Sequence, residues 1–142
     1  MMYTKIIVAY DSSEPSRRAL AQAKILAEAF GSKLEVVHVY AYPTFAFGEA
    51  LIPLPQNYEV ANYEYAQQIV QEAKARTADL ADAHVTLLQG NPAKALIEHA
   101  KQSNADLIVI GSRGLGAVKE FMLGSVSHNV IQHTKIPVLV VR

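Results

Sequence analysis

The sequence predicts an α/β fold, a three-layer open five-stranded parallel sheet with helices on both faces. Three observations predict it. Short apolar runs alternate with amphipathic segments in the order β-α-β-α-β-α-β-α-β, with no internal repeat and no linker. Runs such as Ile6-Ile7-Val8-Ala9 and Leu107-Ile108-Val109-Ile110 lack polar alternation, the pattern of strands covered on both faces. Helix-start chemistry follows the first and third strands. At 142 residues, about half of them apolar, the chain suits one domain with an ample core, so residues 1–142 are read as a single domain.

The first strand is Lys5-Ile6-Ile7-Val8-Ala9-Tyr10. Asp11-Ser12-Ser13-Glu14-Pro15 then supplies capping side chains, an acid and a first-turn proline. Ala19, Leu20, Ala23, Leu26, Ala27 and Phe30 follow at helical spacing, and Gly31 is a natural stop. Leu34 to Tyr40 reads as a second strand. From Ala41 to Gln56 the period dissolves among Pro43, Gly48, Pro53 and Pro55. That stretch is expected to be a long loop of functional or mobile character. A helix is expected from Asn57 to Ala81, with Val60, Tyr63, Ala66, Val70, Ala73 and Leu80 inward. Val85 to Leu88 is a third strand ended by Gly90. Asn91-Pro92 opens the next helix, with Leu96, Ile97 and Ala100 as its stripe. Asp106 to Ile110 is a fourth strand, Ser125 to His133 a short helix, and Pro137 to Val141 the last strand.

Composition narrows the function classes. Cysteine is absent, so disulfides, thiol nucleophiles and thiolate metal sites are excluded. Lys plus Arg equals Asp plus Glu at 13 each, for a formal net charge of +0. A neutral chain without a basic run is a poor binder of nucleic-acid phosphates. No apolar run approaches the roughly 20 residues needed to cross a bilayer. Met1 to Lys5 leads into an apolar run that stops at Asp11, unlike a signal peptide. A soluble, cytoplasmic protein without membrane association is expected.

In open parallel sheets ligands bind beyond the carboxyl ends of strands, where the winding reverses. That rule directs attention to the turns after Tyr10, Tyr40 and Ile110. After Ile110 the chain reads Gly111-Ser112-Arg113-Gly114, then nine residues, then Gly124-Ser125-Val126-Ser127. Glycine lets backbone amides approach a ligand closely. Gly124-Ser125 opens a helix whose unpaired N–H groups and positive dipole end favour an anion. The hydroxyls of Ser125 and Ser127 would add donors, and Arg113 a formal charge. The bland alternative is that the glycines only make turns and Ser125 only caps its helix. Two other phosphate motifs are excluded: Gly-Lys-Ser/Thr is missing, and Gly114-Leu115-Gly116 has no glycine three residues on.

These residues resemble the universal stress protein family, in its ATP-binding branch. The resemblance covers nearly the whole chain: Asp11-Ser12-Ser13, His38-Val39, Gly90-Asn91-Pro92, Ala105 to Gly114, Leu123 to Ser127 and Pro137 to Val141. The loop from Ala41 to about Gln56 lies outside it. The fold it implies is Rossmann-like, of the adenine nucleotide alpha hydrolase-like kind. By similarity, Ala9 lines the pocket and Asp11 lies near the ribose or phosphates. Val39 meets the adenine through its backbone, and Ile110 packs near base or ribose. Gly111, Gly114, Gly124, Ser125, Val126 and Ser127 hold the phosphates with help from Arg113. The cofactor implied is ATP, with Mg²⁺ accompanying its phosphates and no protein cage for the ion. The resemblance further implies a homodimer through the last strand, Val138 to Val141, and a downstream protein partner that the sequence does not name.

Asp11 on its own also reads as a plain N-cap. His38, His84, His99, His128 and His133 have no spacing that makes a metal site, and each is read as structural or solvated. Tyr58, Tyr63 and Tyr65 read as packing and surface residues, and Phe121-Met122-Leu123 as core or interface. Three functions stay open: an ATP-binding regulatory module with absent, slow or partner-dependent hydrolysis, a genuine ATPase or nucleotide-dependent phosphotransferase, and a dimerising interaction protein that does not use nucleotide.

Overall fold

The computed structural model describes residues 2–41, 44–47, 50–53, 56–113 and 124–142. In chain order these form β1 (Lys5–Ala9), α1 (Glu14–Phe30), β2 (Lys33–Tyr40), β3 (Thr44–Phe47), β4 (Ala50–Pro53), α2 (Gln56–Arg76), β5 (Ala83–Gln89), α3 (Pro92–Gln102), β6 (Leu107–Gly111), α4 (Ser125–His133) and β7 (Val138–Val141). Five strands make one sheet in the order β5-β2-β1-β6-β7, and every neighbouring pair is parallel. This is the expected five-stranded α/β fold.

Strand β1 is central, and Ile6, Ile7 and Val8 are wholly buried. Burial of each such side chain contributes roughly 1.5–3 kcal/mol. Its side chains alternate between two cores. Ile6, Val8 and Tyr10 join Leu34, Val36, Leu107 and Val109 under α1 and α2, through Ala19, Leu20, Ala23, Ile69 and Ala73. Ile7 joins Val37, Ile108 and Ile110 under α3 and α4, through Leu96, Ala100 and Val130. The chain winds outward from β1 through β2 to β5, then returns on the other face to place β6 beside β1. The winding therefore reverses between β1 and β6.

Sequence chemistry sets the helix ends. Ser13 caps α1 by accepting from the Ser16 N–H, and Asn91 caps α3 by accepting from Lys94 N–H at 3.0 Å. Gly31 closes α1 in the left-handed region at φ 64°, where a side chain would be strained. Helix α2 ends at Arg76, short of the expected Ala81. There the Thr77 hydroxyl donates to the Ala73 carbonyl at 2.9 Å, and Leu80 N–H donates to the Thr77 carbonyl, so the chain turns off the helix axis.

Two expectations about the middle of the chain are corrected. The stretch read as a loop contains an antiparallel hairpin, with Thr44 opposite Pro53 and Phe47 opposite Ala50. Its strands have four residues each, too few for a period to stand out between prolines. On α2, Val60 and Tyr63 are 51% and 47% exposed, while Ile69, not expected inward, is 3% exposed. The helix meets the sheet along Ala66, Ile69, Val70 and Ala73; its first turns run past the sheet, where Tyr63 packs edge-on against Tyr40.

Three carboxylates tie the layers together. Glu72 on α2 accepts from Tyr10 Oη, from Arg17 Nε at 2.9 Å and from Arg76 Nε at 3.1 Å. Buried Glu35 accepts from Thr86 Oγ1 and lies 2.8 Å from His99 Nε2 and 3.2 Å from Lys5 Nζ. Asp106 accepts from Thr4 N–H at 2.7 Å, Thr4 Oγ1 at 2.9 Å and Lys5 N–H at 3.1 Å, joining the starts of β6 and β1. Burial raises the Asp106 pKa, but the bonds from Thr4 and Lys5 outweigh it and hold the carboxyl below the usual aspartate value.

A lowered folded-state pKa gives stability that is present above the unfolded value, about 3.9, and is lost as pH falls through the folded value. Asp106→Asn is accordingly expected to cost about 1 kcal/mol at pH 7. In urea denaturation the gap from the wild type should narrow as pH falls below about 4. A gap that stays constant to pH 2.5 would show that the ionised carboxylate is not what holds the two strands.

Candidate functional site

The reversal leaves a crevice at the carboxyl ends of β2, β1 and β6, three adjacent strands. Ala9, Val39 and Ile110 stand near those ends and all project toward the α3–α4 face. Asp11 follows β1 directly. Its Oδ1 accepts from the N–H of Ser13 at 3.0 Å and from the Ser13 hydroxyl, while its own N–H donates to Ser16 Oγ at 3.3 Å. Between them Ser12 sits in the left-handed region at φ 65°, a conformation costly for a residue with a Cβ. Asp11 thus braces a strained turn at the mouth of the crevice, while Ser13 does the capping.

On the β6 side the chain leaves the sheet at Ser112, whose N–H donates to the Val141 carbonyl at 2.8 Å. Its carbonyl is where the loop closes: it accepts from Gly124 N–H at 2.7 Å and from Ser127 Oγ at 2.9 Å. Ser127 is buried, and its hydroxyl also lies 3.0 Å from the Gly124 carbonyl. The donor expected to face a phosphate is turned to the backbone and anchors α4 to the end of β6.

Helix α4 begins differently from α1 and α3. Its N-cap is Gly124, in extended conformation at φ −66° and ψ 161°, and among the described residues no side chain accepts from its first turn. The first-turn N–H groups belong to Ser125, Val126 and Ser127, the positive end of the helix dipole. Beside this turn's anchor is Arg113, whose Nε is buried with no hydrogen-bond partner among the described residues. A buried donor without an acceptor is costly, so this arrangement suits an anion. Gly114 and Phe121-Met122-Leu123 lie outside the described residues.

Gly111 has a packing reason of its own. A Cβ there would stand 2.8 Å from the Pro15 carbonyl carbon and 2.9 Å from its oxygen and Cβ. The first turn of α1 leans directly on the end of β6, which brings Asp11 and the glycine segment to one place. This close approach was not visible in the glycine spacing.

Across the crevice, His38 is buried, with Nδ1 2.8 Å from the Tyr10 carbonyl oxygen. Burial lowers its pKa, against the opposing effects of that bond and of Asp11, so the ring is neutral at pH 7. A polar cleft of about 460 Å³ lies at the other end of the sheet, lined by Lys5, Lys33, Leu34, Glu35, His84 and Thr86. Its carboxylate already serves Thr86, His99 and Lys5. Burial raises the Glu35 pKa, but those three partners prevail and keep it ionised below the ordinary glutamate value. That cleft lies opposite the end at which the winding and the uncapped α4 coincide.

An open parallel α/β sheet with an uncapped helix start at its switch point defines a class of small domains suited to phosphate-bearing ligands. The model for the universal stress protein family matches residues 2–142. A universal stress protein of Thermus aquaticus is 41% identical over 141 residues, covering 99% of this chain and all of the relative. The chain belongs to the universal stress protein family. Among solved structures, a universal stress protein in complex with cAMP is 30% identical, with a TM-score of 0.74, covering 100% of this chain and 99% of that one. The fold is shared with the universal stress protein UspA of Lactobacillus plantarum, at 23% identity and a TM-score of 0.82, covering 100% of this chain and 99% of that one.

Gly111→Ala is expected to destabilise the domain by about 1–3 kcal/mol, because the clash is with backbone that cannot rotate away. Urea denaturation checks this. A variant as stable as the wild type would show that α1 does not rest on β6 as described.

Proposed function

We propose that this universal stress protein binds an adenine nucleotide, ATP with Mg²⁺, at the carboxyl edge of its sheet and acts as a nucleotide-dependent regulatory module. The observation that carries the reading is the first turn of α4, anchored on Ser112, together with the Nε of the next residue, Arg113, which is buried without a hydrogen-bond partner among the described residues. Ser125, Val126 and Ser127 would present backbone N–H groups to the phosphates, with Gly111, Gly114, Gly124 and Arg113 alongside. Asp11 would meet the ribose or phosphates, Val39 the adenine edge, and Ala9 and Ile110 the apolar side of the base. The relative solved with cAMP supports an adenine nucleotide as the ligand class. Among the described residues no group of three His, Cys, Asp or Glu could hold a metal, so Mg²⁺ is proposed to arrive on the phosphates.

Hydrolysis is proposed to be absent, slow or dependent on a partner. A positioned water needs a general base near the γ-phosphate, and Asp11 already accepts two hydrogen bonds inside its turn.

ATP with Mg²⁺ at millimolar concentration is expected to raise the melting temperature, and no shift would end this reading. In titration calorimetry Asp11→Ala should weaken ATP about tenfold, the size of one good hydrogen bond to a charged group; unchanged affinity would take Asp11 out of the site. Steady-state phosphate release should stay at background, and turnover on the order of 1 s⁻¹ or faster would make the protein an ATPase.

A homodimer through β7 is also proposed. Pro137 and Val141 offer their carbonyls to β6, so by alternation Val138 and Val140 direct their backbone groups to the open edge. Leu139 is more than a third exposed, and apolar open edges invite pairing. Val140→Pro removes an edge N–H and should shift light-scattering mass from dimer to monomer. A wild type that is monomeric at 100 µM overturns the dimer.

A further inference from the structure

Strand β1 stops pairing with β2 in an unusual way. Tyr10 N–H donates to the Val37 carbonyl at 2.9 Å. In a parallel ladder the next rung would run from Val39 N–H to the Tyr10 carbonyl. The register ends instead at Ala9 opposite Val37, and among the described residues this carbonyl accepts from the side chain of His38, at 2.8 Å. The imidazole is buried, and Tyr10 is held at its other end by Glu72 through the phenol. Asp11, the next residue, starts the braced turn of the candidate site.

We infer that His38 is a positioning residue for the nucleotide site: its Nδ1–H takes the place of a ladder rung, so that Val39 keeps its N–H for the base and the Tyr10–Asp11 peptide is fixed beside it. This deepens the proposed function and rests on it for the ligand. The device needs only one ring proton, carried at Nδ1. Burial favours the neutral ring that has such a proton, and the carbonyl partner selects the tautomer. His38 touches no ligand in this role. It acts by withholding the Tyr10 carbonyl from Val39, since a strand that zipped one rung further would spend the Val39 N–H within the sheet.

Three measurements test it. A long-range ¹H–¹⁵N spectrum of the wild-type protein should show the Nδ1–H tautomer at His38, and the Nε2–H tautomer overturns the inference. Amide exchange in nucleotide-free protein should be fast at Val39 in the wild type and slow in His38→Leu, where the strand can close onto Tyr10. Equal exchange in the two overturns it. His38→Asn places an amide donor near the position of Nδ1, so its ATP affinity should stay within about threefold of wild type, while His38→Leu falls about tenfold. Leu and Asn variants that bind ATP equally overturn it, provided both melt cooperatively. The tautomer and exchange measurements need no nucleotide. A wild type that binds no ATP therefore sinks the proposed function while the role of His38 is still decided, and a Leu variant that does not fold leaves the tautomer and the Asn variant to decide it.

Discussion

Everything in this domain depends on β1 being covered on both faces. Ile6 and Val8 need α1 and α2, while Ile7 needs α3 and α4. A strand that demands helices on both sides cannot stand at an edge. The chain must therefore build outward on one side and return to build on the other, with right-handed crossovers at each step. The reversal of winding beside β1 follows from that demand, and the crevice follows from the reversal. The site is a consequence of burying one apolar pentapeptide twice.

What occupies the rim of the crevice is backbone more than side chain. The Ser112 carbonyl and the Gly124 N–H close the loop on each other, and α4 offers its first turn. The side chains with conspicuous chemistry do supporting work: Asp11 braces a turn, Ser127 anchors the helix, and His38 holds the carbonyl before Asp11. The proposed recognition of anionic groups rests on that backbone geometry and on the helix dipole.

The polar interior is distributed to serve the same end. Glu72 joins α2 to Tyr10 and Arg17, so the helix after the hairpin is tied to the segment that carries Asp11. Asn62 adds a bond to the Ala41 carbonyl just past β2. Glu35 and Asp106, with their partners, lock the amino ends of the strands far from the crevice. Carboxylates held by several donors each rigidify that end of the sheet.

The sequence by itself determined the strands and helices, since β1, β6 and α1 carry unbroken apolar runs or strong caps whose local physics decides the outcome. It also determined the family, and it placed the start of α4 at Gly124-Ser125 because that pair is a local signal. The hairpin at Thr44–Pro53 escaped it, as did the true inner face of α2, because four-residue strands and a helix half off the sheet leave too little period to read. Only the tertiary structure could show that Gly111 is required by Pro15, that Ser127 spends its hydroxyl on Ser112, and that His38 replaces a rung of the ladder. Each of these joins segments distant along the chain, and a contact of that kind exists only once the sheet has brought its strands side by side.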